Sequence, residues 1–96
     1  MMDVNDDLRA LVRTIADYPK PGIQFRDITT LLLDPDGFHA TVERMAAQLA
    51  DLSLDAIAGI EARGFLFASA LAYRLKHGVI LIRKQNKLPG ATVGVN

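Results

Sequence analysis

Three short segments of this 96-residue chain carry side chains suited to chemistry on an anion or a planar ring. Glu61-Ala62-Arg63-Gly64 lies between the apolar run Ala56-Ile57-Ala58-Gly59-Ile60 and an Ala- and Leu-rich stretch, 65–76. At a helix start, free backbone N–H groups and the positive macrodipole end favour an anion; Gly64 permits close backbone approach and Arg63 adds a forked cationic donor. An ordinary strand-to-helix turn, with Arg63 paired to Glu61 or another acid, meets the same spacing. The second segment, Arg83-Lys84-Gln85-Asn86-Lys87-Leu88-Pro89-Gly90, puts three cations and no acid directly after the apolar run 79–82. It reads either as charge for a polyanionic ligand or as a solvated basic turn, and Pro89-Gly90 permits a mobile flap. The third is Tyr18-Pro19-Lys20-Pro21-Gly22-Ile23-Gln24-Phe25-Arg26-Asp27. Two prolines and a glycine restrict the backbone before Phe25, and an aromatic ring held beside Arg26 is suited to stack on a heterocycle. A phenylalanine that anchors a loop to the core explains the same residues.

Other chemistries find less support. Neither GxGxxG nor GxxxxGK[ST] occurs, so neither a Rossmann dinucleotide site nor a P-loop is indicated. The chain has no cysteine, which removes disulfides, thiolate catalysis and zinc ribbons, and its two histidines, His39 and His77, are far apart. Asp27, Asp34 and Asp36 resemble a metal cluster only until Asp34 and Asp36 are assigned to helix initiation.

The elements that position these segments follow from periodicity and punctuation. Leu8, Leu11, Val12 and Ile15 after Asn5 and Asp6 predict a helix over 6–17, ended by Pro19, Pro21 and Gly22. Residues 23–33 lack a sustained period and are expected to be extended. Asp34 as N-cap and Pro35 at the first helical position predict a second helix, with Phe38, Val42, Met45, Leu49 and Leu52 on one face. The runs 56–60 and 79–82 predict buried strands, joined by a helix over 65–76 that Gly78 ends as a left-handed cap. Strand, helix, strand is a parallel βαβ unit. In such α/β sheets ligands bind beyond the carboxyl ends of the strands, so the loops after Ile60 and Ile82 are where a site belongs. Two confident parallel strands are few for a finished sheet, and 91–96 alternates like the start of another. The inventory reads as the first part of an α/β domain.

Composition narrows the partners. Half of the residues are hydrophobic and 23% charged, consistent with a folded chain. Eleven Lys and Arg balance eleven Asp and Glu, so no global positive field draws the chain to nucleic acid or an acidic membrane. The start, Met-Met-Asp-Val-Asn-Asp-Asp, is acidic where a signal peptide is basic and then apolar, and no apolar run reaches the ~18 residues of a membrane helix. A cytoplasmic location is expected.

Together and in order, Tyr-Pro-Lys-Pro-Gly-Ile-Gln-Phe-Arg-Asp-Ile at 18–28, Gly-Ile-Glu-Ala-Arg-Gly-Phe-Leu-Phe at 59–67 and Ile-Arg-Lys-Gln-Asn-Lys-Leu-Pro-Gly at 82–90 resemble the type I phosphoribosyltransferase family, in its adenine-using branch. The resemblance implies a partial type I phosphoribosyltransferase fold, with residues 1–96 as the N-terminal portion of a single domain: a parallel βαβ core, preceding helices and a base-binding hood. It implies transfer of 5-phosphoribosyl from phosphoribosyl pyrophosphate to adenine, with Mg²⁺, in a homodimer. Phe25 resembles the ring that stacks on adenine, with Gln24 and Arg26 lining the hood. Glu61, Ala62, Arg63 and Gly64 resemble the pyrophosphate loop, with a cis peptide at Glu61-Ala62. Arg83, Lys84 and Lys87 resemble the cationic side of the site, and 85–96 the entry to a catalytic flap. The family's acidic pair and Thr-Gly-Gly-Thr-like ribose-phosphate loop have no counterpart in the sequence, so activity of the chain alone is in doubt. Two other classes stay open: a purine-responsive regulator, for which a DNA-binding module is wanting, and a non-catalytic pyrophosphate-binding module.

Overall fold

The computed structural model describes residues 4–84. Its elements, in chain order, are α1 (Asp6–Arg9), β1 (Arg13–Ala16), β2 (Gln24–Asp27), α2 (Thr29–Leu33), α3 (Pro35–Gln48), β3 (Ala56–Ile60), α4 (Arg63–Leu75) and β4 (Gly78–Ile82). Among the described residues, 4–44 and 45–84 form two compact units.

In the first unit the helix expected over 6–17 stops at Arg9. Residues Arg13–Ala16 instead pair antiparallel with Gln24–Asp27, in the register Arg13↔Asp27, Thr14↔Arg26, Ile15↔Phe25 and Ala16↔Gln24. Four apolar residues over eight positions do not distinguish a helix from a turn and a strand, and the β-branched pair Thr14-Ile15 favours the latter once a partner strand is present. The hairpin loop uses Asp17 (φ 57°) and Gly22 (φ 88°), both left-handed, with the Gly22 N–H donating to Asp17 Oδ1 at 2.8 Å. The Tyr18–Pro19 peptide is cis.

The extended expectation for 23–33 holds for Gln24–Asp27 and fails after it. Asp27 Oδ1 accepts the Thr29 N–H at 2.9 Å and the Thr29 hydroxyl at 2.7 Å, which turns the chain into α2. Its other oxygen accepts Arg13 Nε at 2.5 Å. These contacts, first from Thr29 and then from Arg13, hold the buried Asp27 carboxyl at about 2, below its usual 3.8. A carboxyl lowered by folding stabilises the fold fully above the unfolded value, and that stabilisation is lost as pH falls towards the folded one. Urea unfolding followed from pH 7 to pH 2 is therefore expected to show a midpoint that drops between about pH 4 and pH 2. Asp27→Asn should begin with a lower midpoint at pH 7 and show a shallower drop in that window; parallel curves for the two proteins would refute the role of Asp27. Asp7 is similarly held at about 2, foremost by its hydrogen bonds from Arg44, so the variant retains part of the slope.

Asp34 and Pro35 start α3 as their types require, with Asp34 Oδ2 accepting the Gly37 N–H at 2.7 Å. The helix ends at Gln48, so Leu49 and Leu52 lie beyond it and are not on its face.

The second unit is the expected βαβ arrangement. β3 and β4 pair in parallel, from Ala56↔Gly78 to Ile60↔Ile82. Ala46, Ile57, Ala68, Leu71 and Ala72 form the core, with Met45, Leu49, Leu54 and Leu75 packed around it. Two expectations are corrected. Lys76, at φ 61°, takes the left-handed position after α4, with the His77 N–H donating to the Ala72 carbonyl at 2.8 Å, and Gly78 opens β4 instead. The strands are not both buried: only Ile57 and Gly59 of β3 are, and β4 is exposed throughout. Among the described residues the sheet has two strands and α4 covers one of its faces, which leaves Ile60 66% and Ile80 55% exposed.

Candidate functional site

Both parallel strands deliver their carboxyl ends to one place. The Glu61 N–H donates to the Ile82 carbonyl at 2.9 Å, directly beyond the last pair of the ladder. The chain then passes through a cis Glu61–Ala62 peptide, as the resemblance implies, and α4 begins at Arg63. Ala62 and Arg63 are exposed and Gly64 is half-buried, so an arginine and the first backbone N–H groups of a 13-residue helix share its positive end.

The tightness of this turn comes from Gly59. A Cβ there would meet the Ala68 Cβ at 2.7 Å and the Gly64 carbonyl oxygen at 2.8 Å, closer than atoms pack. Only a glycine lets the end of β3 lie this near the first turns of α4. At Gly64 a Cβ would find its nearest neighbour at 3.6 Å, an ordinary contact. Packing within the chain thus leaves Gly64 free to face a ligand, whereas Gly59, which the sequence reading gave no role, is a glycine that packing demands. Its position inside a strand was the available signal.

The loop after β4 meets the loop after β3 through Glu61. Its carboxylate accepts the Lys84 N–H at 2.5 Å and faces Arg83 Nη2 at 3.4 Å. The Arg83 guanidinium also lies over the Phe65 ring, 5.6 Å from its centroid, a contact the sequence did not signal. The Lys84 N–H foremost, and then Arg83, lower the Glu61 carboxyl below the usual glutamate range, so Glu61 is an anion at neutral pH. Glu61, Ala62, Arg63, Gly64, Arg83 and Lys84 are thereby brought together. Lys87 lies outside the described residues, as does the expected flap at 85–96. Such an arrangement, with Arg63, Arg83, Lys84 and a helix N-terminus at the ends of two paired strands, is chemically suited to a diphosphate.

Gln24, Phe25 and Arg26 all lie on β2 in the first unit. Strand alternation puts Phe25 on the face of buried Asp27 and sends Gln24 and Arg26 to the other. Phe25 is half-buried and meets the Tyr18 ring edge-on, with centroids 5.3 Å apart and planes at 73°. Arg26 donates to the Thr14 hydroxyl of the paired strand. Among the described residues no three His, Cys, Asp or Glu side chains are grouped to hold a metal, and no helix is long and apolar enough to cross a membrane.

No family model matches the chain. Individual proteins do. An adenine phosphoribosyltransferase of Symbiobacterium thermophilum is 51% identical over 90 residues, which are 94% of this chain and 53% of that protein. Among solved structures, the adenine phosphoribosyltransferase of Thermoanaerobacter pseudethanolicus superposes with a TM-score of 0.86 at 44% identity, over 92% of this chain and 52% of the other. The enzyme of Giardia lamblia, solved with 9-deazaadenine, gives 0.83 at 36% identity, over 93% and 49%. The chain spans about half the length of the curated relatives it matches. Its α/β architecture is the partial type I phosphoribosyltransferase fold, and in both sequence and backbone the chain is similar to the N-terminal portion of adenine phosphoribosyltransferases.

Proposed function

We propose that the chain supplies the base-binding and pyrophosphate-binding part of an adenine phosphoribosyltransferase, which moves the 5-phosphoribosyl group of phosphoribosyl pyrophosphate to adenine, giving AMP and pyrophosphate in purine salvage. The observation that carries the proposal is the convergence of Arg63, Arg83, Lys84 and the N-terminus of α4 at the ends of β3 and β4. That convergence occurs in a chain about half identical to enzymes of this name.

Breaking the bond between the ribose C1 and the pyrophosphate oxygen places negative charge on the leaving group, while an adenine ring nitrogen forms the new bond and releases its proton to the departing pyrophosphate or to solvent. Fixed cations and backbone dipoles at the leaving oxygens favour that charge more than they favour the intact substrate. Arg63 binds the departing diphosphate with its forked donors, and Arg83, Lys84 and Lys87 supply further positive charge. Gly64 leaves room for the ligand against the backbone. Magnesium bound to the substrate would supply further charge neutralisation at the leaving diphosphate, beside Arg63, Arg83 and Lys84. Phe25 stacks on adenine, and Gln24 and Arg26 line the base site. Residues 1–96 belong to a single domain of a cytoplasmic homodimer that binds neither nucleic acid nor membrane.

Calorimetric titration of the chain tests both halves of this reading. Phosphoribosyl pyrophosphate with magnesium is expected to bind. Adenine should bind at least about tenfold more tightly than hypoxanthine, because exchanging an amino donor for a carbonyl acceptor leaves a buried partner unpaired. Equal affinity for the two bases would remove the adenine assignment. No binding of phosphoribosyl pyrophosphate would remove the whole proposal.

A further inference from the structure

An acid at the centre of a polyanion site is a liability, because its charge opposes that of the ligand. Glu61 nevertheless stands between the two loops, and its contacts account for its presence. Its N–H continues the β3–β4 pairing to Ile82, and its carboxylate reaches two residues further to accept the Lys84 N–H at 2.5 Å. The same carboxylate faces Arg83 at 3.4 Å, while the Phe65 ring lies 5.6 Å beneath the guanidinium. Arg83 is thus held from two sides, by the loop before α4 and by the first turn of α4 itself. The Glu61 side chain is only 21% exposed and its carboxylate is engaged on the protein.

We propose that Glu61 is a positioning residue: it does not touch the ligand but ties the loop after β4 to the loop after β3, thereby presenting Arg83 and Lys84 to a diphosphate. The inference rests on the pyrophosphate reading above. It predicts an effect opposite in sign to simple electrostatics. Removing the negative charge would strengthen anion binding if Glu61 were a bystander, and weakens it if the tie is needed to hold the cations in place.

The test uses the full 96-residue chain, inorganic pyrophosphate as probe, and the variants Glu61→Ala and Glu61→Gln. Glutamine keeps an oxygen that accepts the Lys84 N–H, so it retains the tie and also serves if the alanine variant folds poorly. Amide hydrogen exchange at Lys84, read by NMR, is expected to be slow in the wild type and in Glu61→Gln and at least about tenfold faster in Glu61→Ala. Pyrophosphate affinity, read by calorimetry, should fall about tenfold in Glu61→Ala and no more than about threefold in Glu61→Gln. Unchanged or tighter binding in Glu61→Ala, or unchanged Lys84 exchange, would overturn the role given to Glu61 while leaving the site intact. Failure of the wild-type chain to bind pyrophosphate would overturn the reading of the site, and the presenting role with it.

Discussion

Replacing Gly59 by alanine is expected to destabilise the chain by about 2 kcal/mol and to lower its melting temperature by roughly 10 °C. The new methyl group has nowhere to go. At 2.7 Å from the Ala68 Cβ and 2.8 Å from the Gly64 carbonyl oxygen it meets atoms that have no flexible end to swing aside. Either α4 moves off β3, which opens the core around Ile57, Ala68, Leu71 and Ala72, or the 61–64 turn is displaced. Circular dichroism melting of three proteins separates these causes. Gly59→Ala should melt low, and the double variant Gly59→Ala/Ala68→Gly should recover only in part, because the Gly64 oxygen remains in the way and a helical glycine costs up to about 1 kcal/mol. Gly64→Ala, with its nearest contact at 3.6 Å, should not melt lower than the wild type. A wild-type melting temperature for Gly59→Ala would show that the β3–α4 packing is not as close as described.

Arg63→Ala is expected to weaken pyrophosphate binding roughly 10- to 100-fold, the equivalent of losing about 1.5–3 kcal/mol of charge-assisted hydrogen bonding. The residue is exposed at the start of α4, so its removal leaves the β3–α4 core packing in place, and an unchanged unfolding curve would assign the loss to the ligand. Arg63→Lys retains the charge without the fork and should fall between the two proteins. Raising the salt concentration should weaken the wild type more than Arg63→Ala, because the variant has one fewer ionic contact to screen. Wild-type affinity in Arg63→Ala would remove Arg63 from the pyrophosphate site.

Much of the second unit was legible in advance because its signals are local. Strand, helix and strand were assigned over 56–60, 65–76 and 79–82, and the structure has them at Ala56–Ile60, Arg63–Leu75 and Gly78–Ile82. Asp34 and Pro35 likewise mark the start of α3, because a cap acts on amides within three residues of itself. The hairpin was not legible. Its ladder joins Arg13 to Asp27 and Thr14 to Arg26, and the residues 6–17 taken alone match a helical period. Lys76 shows the same limit at smaller scale. A glycine two residues on is the better left-handed residue by type, but the register of β4 with β3 begins at Gly78 and leaves the cap to Lys76.

The amino-acid sequence by itself determined which residues have the charge, the ring or the freedom to serve a diphosphate and a base, and that two loops at strand ends carry the cations. Such properties belong to single side chains or to neighbours one helical turn apart. Only the tertiary structure decided what those groups do to one another. It set the Glu61 carboxylate against Arg83, 22 residues on, placed Phe65 under Arg83, and revealed Gly59 as a glycine that packing requires. The physical reason is that a carboxylate's partners and the clearance beside a Cα depend on which distant segments fold against them, and no local period carries that information.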